Sequence, residues 1–190
     1  MTARAAAALE TRSALLDAGL RTAEQRGLAG MSVNRVVAAA GVAKGTFYVH
    51  FPDRGSFLSA LHQRFYDLVV ESVTAAIGDL PHGRSRLRRG METYLDVCLQ
   101  HVGVKALLLE ARNDPAVAGE VAARTAVFAA QAEPDLLAMG WPDAQSTARL
   151  VIAMSAELSL VELAAGKRDP QGRRVLWQLL DRLDLGDDGA

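Results

Sequence analysis

One cysteine, Cys98, stands in the 190 residues of this chain. A disulfide within the chain is therefore excluded, and the composition suits a reducing compartment. Alternating apolar and polar runs, the signature of half-buried strands, are missing. No charge-free apolar run approaches the ~18 residues that a membrane span requires. The opening "MTARAAAALETR" has charges but neither the apolar core nor the cleavage site of a signal peptide. These absences lead us to expect a cytoplasmic globular protein. Nucleophile-elbow, HExxH, P-loop and paired metal-ligand motifs are also missing, so no enzyme class, resident cofactor or metal is expected. Glu110, Glu157 and Glu162 are isolated carboxylates, which read as surface or pocket polar groups.

Half of the residues are hydrophobic, enough to bury a core without staples in one domain or in two small ones. The net charge of −1 conceals a division. Residues 1–66 carry eight Arg or Lys against four acids, and residues 67–190 carry thirteen against eighteen. A basic front and an acidic back point to a polyanion met by the front alone.

Alanine abounds while Val, Ile and Thr are scattered, so the chain reads as all-α. A first helix is predicted from about Thr11 to Arg26, with Leu15, Leu16, Gly19, Leu20 and Ala23 at helical spacing and Gly27 at its C-terminal cap. Ser32 can cap a short helix with Val33, Val36, Val37 and Ala40 on its apolar side, and Gly41 ends it. A third short helix spans roughly Lys44 to His50. Pro52 breaks the chain, because it disfavours helix at Phe51, and Asp53 caps a long helix reaching about Ile77. "GDLPHG" (78–83) is the clearest linker. Further helices are predicted at about 84–102, 104–112, 115–139, 143–166 and 171–183, about nine in all.

The stretch "GVAKGTFYVHFPDR" (41–54) interleaves two kinds of residue. A helix of seven residues is not stable alone. Phe47 and Phe51 are its anchors, and Val42 can plug the core beneath the turn. Anchoring those faces turns Lys44, Thr46, Tyr48 and His50 outward, a set of donors suited to phosphates and base edges. Gly45 costs about 1 kcal/mol inside a helix, which is understandable if another surface approaches the backbone there. Two short helices joined by "AGVA" have the layout of a helix-turn-helix.

The segment "MSVNRVVAAAGVAKGTFYVHFPDRGSFLSAL" (31–61) resembles the DNA-binding domain of the TetR family of bacterial transcriptional repressors. So does the helix before it, so that the likeness covers about residues 10–62. The resemblance implies a helix-turn-helix domain at 1–53 and a helical effector-binding and dimerisation domain at 54–190. It implies DNA contacts from Ser32, Lys44, Gly45, Thr46, Tyr48, His50 and Arg54. Ala43 stands where the family has a serine, Met31 where it has a threonine, and Gly55 where it has a glutamate. Arg54 in place of a lysine keeps the charge.

The resemblance further implies a homodimer through the last two helices and an effector pocket among the middle ones. "ARLVIAMSAELSLVELAA" (148–165) has a broad apolar surface, with the small residues Ala153, Ala156 and Ser159 allowing close packing. Val175, Leu176, Leu179, Leu180 and Leu183 recur at helical spacing in the last helix. Tyr94, Cys98, His101, Leu108, Phe128, Trp141 and Met154 are candidate pocket residues. Cys98 and His101 share a helix face and read either as the start of a metal or thiol site or as a core cysteine beside a satisfied histidine. Trp141 reads as a plug at a helix junction as readily as a ligand platform. "RSRLRR" (84–89) reads as a nucleic-acid patch or as a solvated helix start. The expected function is a ligand-responsive repressor that binds a palindromic operator as a dimer and is released by a small molecule. The alternatives are an all-α enzyme or a protein-interaction module with a structural helix-turn-helix.

Overall fold

The computed structural model describes residues 3–27, 30–101, 103 and 115–182, with backbone alone for 115–121 and 182. Every regular element among them is a helix. They are α1 (Ala3–Arg26), α2 (Val33–Ala40), α3 (Lys44–His50), α4 (Arg54–Ile77), α5 (Arg84–Gln100), α6 (Pro115–Ala138), α7 (Ala144–Ala165) and α8 (Pro170–Arg182). The helix expected at 104–112, together with Leu108 and Leu183, lies outside the described residues. None of the helices is long and apolar enough to cross a membrane.

The chain signals act where the sequence places them. Ser32 Oγ accepts from the Arg35 N–H at 3.4 Å and opens α2. Gly41, at φ 68°, closes α2 in the left-handed conformation that a side chain resists. Its N–H and that of Val42 return to the Ala38 and Val37 carbonyls. Asp53 Oδ1 accepts from the Ser56 N–H at 2.7 Å and opens α4, and Asp143 Oδ1 does the same for α7 with Ser146 at 3.0 Å. The start of α1 differs from expectation. It begins eight residues before Thr11, because the alanine-rich opening has high helix propensity and contains no breaker.

Contacts gather the described chain into two units, and α4 contributes to both, its first part through Leu68 and its remainder from Val69. In the first unit, α1 buries Leu15, Leu16, Leu20 and Ala23, while α2 buries Val36 and Val37. α4 adds Phe57, Leu61 and Phe65, one turn apart. Four of the five phenylalanines of the chain, Phe47, Phe51, Phe57 and Phe65, are buried here. Gly19 makes the packing of α1 on α4 possible, since a Cβ there would lie 2.7 Å from Phe57 Cζ and 2.9 Å from Leu61 Cδ1.

The second unit has an aliphatic core instead. Leu87 and Met91 of α5, Ala129, Ala132 and Leu136 of α6, Ala144, Ala148 and Val151 of α7, and Leu176 and Leu180 of α8 form one buried cluster. Small residues on facing sides of α6 and α7 let these two helices pack closely.

Candidate DNA-binding surface

The short helix α3 is held from beneath by aromatic rings. Phe47 is completely buried, and its ring centroid lies 5.5 Å from Phe51 and 5.1 Å from Phe57. Phe51 and Phe57 meet nearly perpendicular at 5.0 Å. Offset and edge-on contacts of this kind add to the area that the rings bury. α3 therefore takes its stability from packing rather than from its own seven residues. Nothing caps its N-terminus: Ala43 sits in the extended conformation of an N-cap with no side-chain hydrogen bond.

With Phe47 turned inward, the opposite side of α3 faces solvent. Lys44, Gly45, Tyr48 and Val49 are exposed, and Thr46 and His50 are half-buried. A Cβ on Gly45 would meet nothing within 4 Å, so internal packing does not demand glycine there. Ser32 and Arg54, at the starts of α2 and α4, are exposed as well. Lys44 and Arg54 make no ion pair with any described residue, which leaves both charges available to a partner.

Two residues at or beside α3 were not singled out from sequence. Val49 is 80% exposed, the most exposed of the large hydrophobic side chains described. An apolar group there matches the methyl of thymine, a base-edge feature that hydrogen-bond donors do not read. The signal was its position between Tyr48 and His50 on the outward face. Arg12 places its guanidinium 5.1 Å from the Phe51 ring centroid. That contact joins residues 39 positions apart, so spacing along the chain does not reveal it.

Three further cations of the first unit are occupied. Arg21 donates to the Ala39 carbonyl at 3.4 Å, Arg35 to the Gly30 carbonyl, and Arg64 to Asp17 at 3.1 Å. His101 hydrogen-bonds Glu24 and stands edge-on to Phe65 at 5.9 Å. In the second unit, three arginines of the 84–89 run are engaged: Arg84 with Asp181, Arg86 with Asp135 at 2.7 Å, and Arg88 with Glu92 at 2.9 Å. Their charge is met inside that unit.

The second unit also contains a cavity with about 450 Å³ of empty space, its mouth included, among α4, α5, α6 and α7. Tyr94 and Phe128 line it, and Cys98, Trp141 and Met154 do not. Cys98 is buried. Trp141 packs against the aliphatic cluster, its backbone N–H bonded to the Leu136 carbonyl at 3.1 Å. No group of three or more metal-ligating side chains occurs among the described residues.

A short, externally scaffolded helix with an outward set of donors, preceded by a left-handed glycine turn, defines a helix-turn-helix DNA-binding protein. The comparisons with known proteins agree. The sequence profile described as "Bacterial regulatory proteins, tetR family" matches residues 15–61. An uncharacterised HTH-type transcriptional regulator of Mycobacterium tuberculosis is 30% identical over 148 residues, covering 76% of this chain and 72% of that protein. The HTH-type transcriptional regulator AcrR of Shigella flexneri is 39% identical over 54 residues, 28% of this chain and 25% of its own. The crystal structure of a Rhodococcus sp. protein assigned to the TetR family superposes with TM-score 0.74 at 25% identity, covering 92% of this chain and 99% of that one. A transcriptional regulator from Pseudomonas aeruginosa PAO1 shares the fold, with TM-score 0.65 at 20% identity over 92% of this chain and 90% of its own.

The chain belongs to the tetR family of bacterial regulatory proteins. It is a DNA-binding transcriptional regulator, and proteins of this family are not enzymes.

Proposed function

We propose that this regulator is a ligand-responsive repressor, cytoplasmic, that binds a palindromic operator as a homodimer and is released by a small molecule. The observation that carries the reading is the division of labour along the chain: a scaffolded reading helix in the first unit and a lined cavity in the second. The functional boundary would fall at 53/54, with DNA contact in 1–53 and effector binding and dimerisation in 54–190.

Ser32, Lys44, Gly45, Thr46, Tyr48, His50 and Arg54 would meet DNA, Lys44 to Thr46 at base edges and Ser32 and Arg54 at phosphates. Arg12, fixed beside the end of α3 by its stacking on Phe51, would add a phosphate contact. The dimer would form through α7 and α8. Leu150 and Val161 of α7 and Val175 and Leu179 of α8 are all large apolar side chains exposed in the single chain, Leu150 at 66%. A two-fold dimer would cover them and present two copies of α3 to successive half-sites. Release requires that the ligand prefer the state that does not fit DNA; tight binding without preference shifts nothing.

The test is DNA binding by the purified protein on fragments flanking its own gene. Sequence-selective binding is expected, lost in the Lys44→Ala/Tyr48→Ala variant. The slope of log affinity against log salt should fall by about 0.9 for each phosphate contact removed, Arg12→Ala included. Absence of selective binding at low salt sinks the reading. For the dimer, sedimentation should show twice the 20.3 kDa chain mass, and Val161→Glu with Leu179→Glu should give monomers that bind DNA poorly.

A further inference from the structure

The cavity of the second unit is lined by two chemistries. Tyr94 and Phe128 stand edge to face with centroids 5.6 Å apart, and Ile77, Met91 and Ile152 extend the apolar wall. Besides the Tyr94 hydroxyl, which meets Ser159 Oγ at 3.5 Å, the polar groups are Arg86, Gln131, Asp135 and Ser155. Three of these are already engaged. Asp135, buried in the unit, receives Arg86 Nη1 on Oδ2 at 2.7 Å and the Gly83 N–H on Oδ1 at 3.0 Å. Each charge of that pair is met by the other. The Ser155 hydroxyl donates to the Val151 carbonyl at 2.9 Å. A charged guest would therefore leave water and find no counter-ion, which is prohibitive in so apolar a lining.

Gln131 is the exception. Its Nε2 donates to Thr74 Oγ1 at 3.1 Å, which fixes the amide, while Oε1 is shut from water with no donor. A buried acceptor without a partner is unfavourable, and a guest that brings a donor removes the penalty.

We infer that the cavity takes a neutral, largely apolar molecule carrying one O–H or N–H donor, and that Gln131 Oε1 receives that donor. The inference rests on the reading of this cavity as the ligand site. It extends that reading by fixing the charge and the hydrogen-bonding sense of the ligand. A body of one ring and a short alkyl chain suits the aromatic pair and the aliphatic wall.

The test is calorimetric titration of the full chain with four probes of one shape: 4-propylphenol, 4-propylanisole, 4-propylbenzoate and 4-propylbenzylammonium. The phenol should bind, and the anisole, in which a methyl replaces the donor hydrogen, should bind about tenfold more weakly, one hydrogen bond's worth. The two ions should give no heat of binding. In Gln131→Met the phenol should fall to the level of the anisole. The wild-type comparison decides the matter even if that variant does not fold. Ala132→Leu, which fills the cavity from α6, should abolish phenol binding. Equal affinity for anisole and phenol, tighter binding of either ion, no binding of the phenol, or full phenol binding by Ala132→Leu would each overturn the inference. Operator affinity is measured separately. A phenol that binds with the stated preference yet leaves DNA affinity unchanged removes the effector role and leaves the ligand class standing.

Discussion

Glu162 and Arg173 meet fork to fork: Arg173 Nε lies 2.6 Å from Oε1 and Nη2 lies 2.7 Å from Oε2 of a carboxylate that is 1% exposed. The pair joins the end of α7 to the start of α8. Glu162 Oε1 also receives the Asp169 N–H at 2.9 Å, and Arg173 Nη1 reaches Asp96 of α5 at 2.8 Å. The hydrogen bond to Glu162 holds the guanidinium pKa above its ordinary value, against burial that pulls it down, and Asp96 adds to the rise. The arginine stays charged throughout the pH range of the folded protein.

Removing one partner strands the other. Arg173→Met should cost about 3–5 kcal/mol of stability, because a buried carboxylate loses its counter-ion. Glu162→Leu with Arg173→Met should regain part of that loss. Urea denaturation measures both. A single variant as stable as the parent would show that the pair contributes nothing.

Gly19 is the closest approach of α1 to α4. Gly19→Ala drives a methyl against Phe57 and Leu61, and should destabilise the chain by about 1–3 kcal/mol, as overpacking does. DNA affinity should fall with it, since Phe57 also supports Phe47. Thermal melting and operator titration check the two effects together. An unchanged melting temperature would mean that the two rings yield freely.

Ala43 leaves α3 uncapped, whereas Ser32 caps α2. Ser32→Ala should cost about 1 kcal/mol, and Ala43→Ser should gain a similar amount. The serine also adds a donor beside Lys44, so operator affinity should rise. A destabilised Ala43→Ser protein would contradict the observed cap geometry.

The carboxylates of Asp53 and Asp143 are held below the ordinary range, chiefly by the backbone N–H of Ser56 and of Ser146, with the hydroxyls of the same serines assisting. A depressed carboxylate stabilises the fold above its unfolded-state value, about 4, and the contribution is lost as the pH falls through the lower folded value. Stability should therefore decline on the acid side of pH about 4. Asp53→Asn with Asp143→Asn, which keeps an acceptor but not the charge, should flatten that decline in scanning calorimetry. Equal steepness in parent and variant would rule the caps out as its source.

The caps, the glycine turn and the alternation of anchors and donors in 41–54 were legible because each depends on residues within one or two turns. The beginning of α1 was not, since nothing in the alanine-rich opening marks where a helix must start. The cavity was legible only in part. Tyr94 and Phe128 stand out as large rings on helices, but Arg86 reads as one more charge in "RSRLRR". Only its pairing with Asp135, 49 positions away, brings it to the cavity wall. Gln131 carried no signal at all, because its importance comes from an acceptor that nothing meets. Arg12 was hidden for the same reason as Arg86: its partner, Phe51, is distant in sequence and near in space.

The aromatic floor under α3 has an evolutionary consequence. Because Phe47, Phe51 and Phe57 keep that helix in place, the residues on its outer side contribute little to whether it forms. Lys44, Gly45 and Val49, which are exposed, can be exchanged one at a time at little cost to the fold. A lineage built on this scaffold can change the operators it recognises through single substitutions, each tried on a protein that still folds.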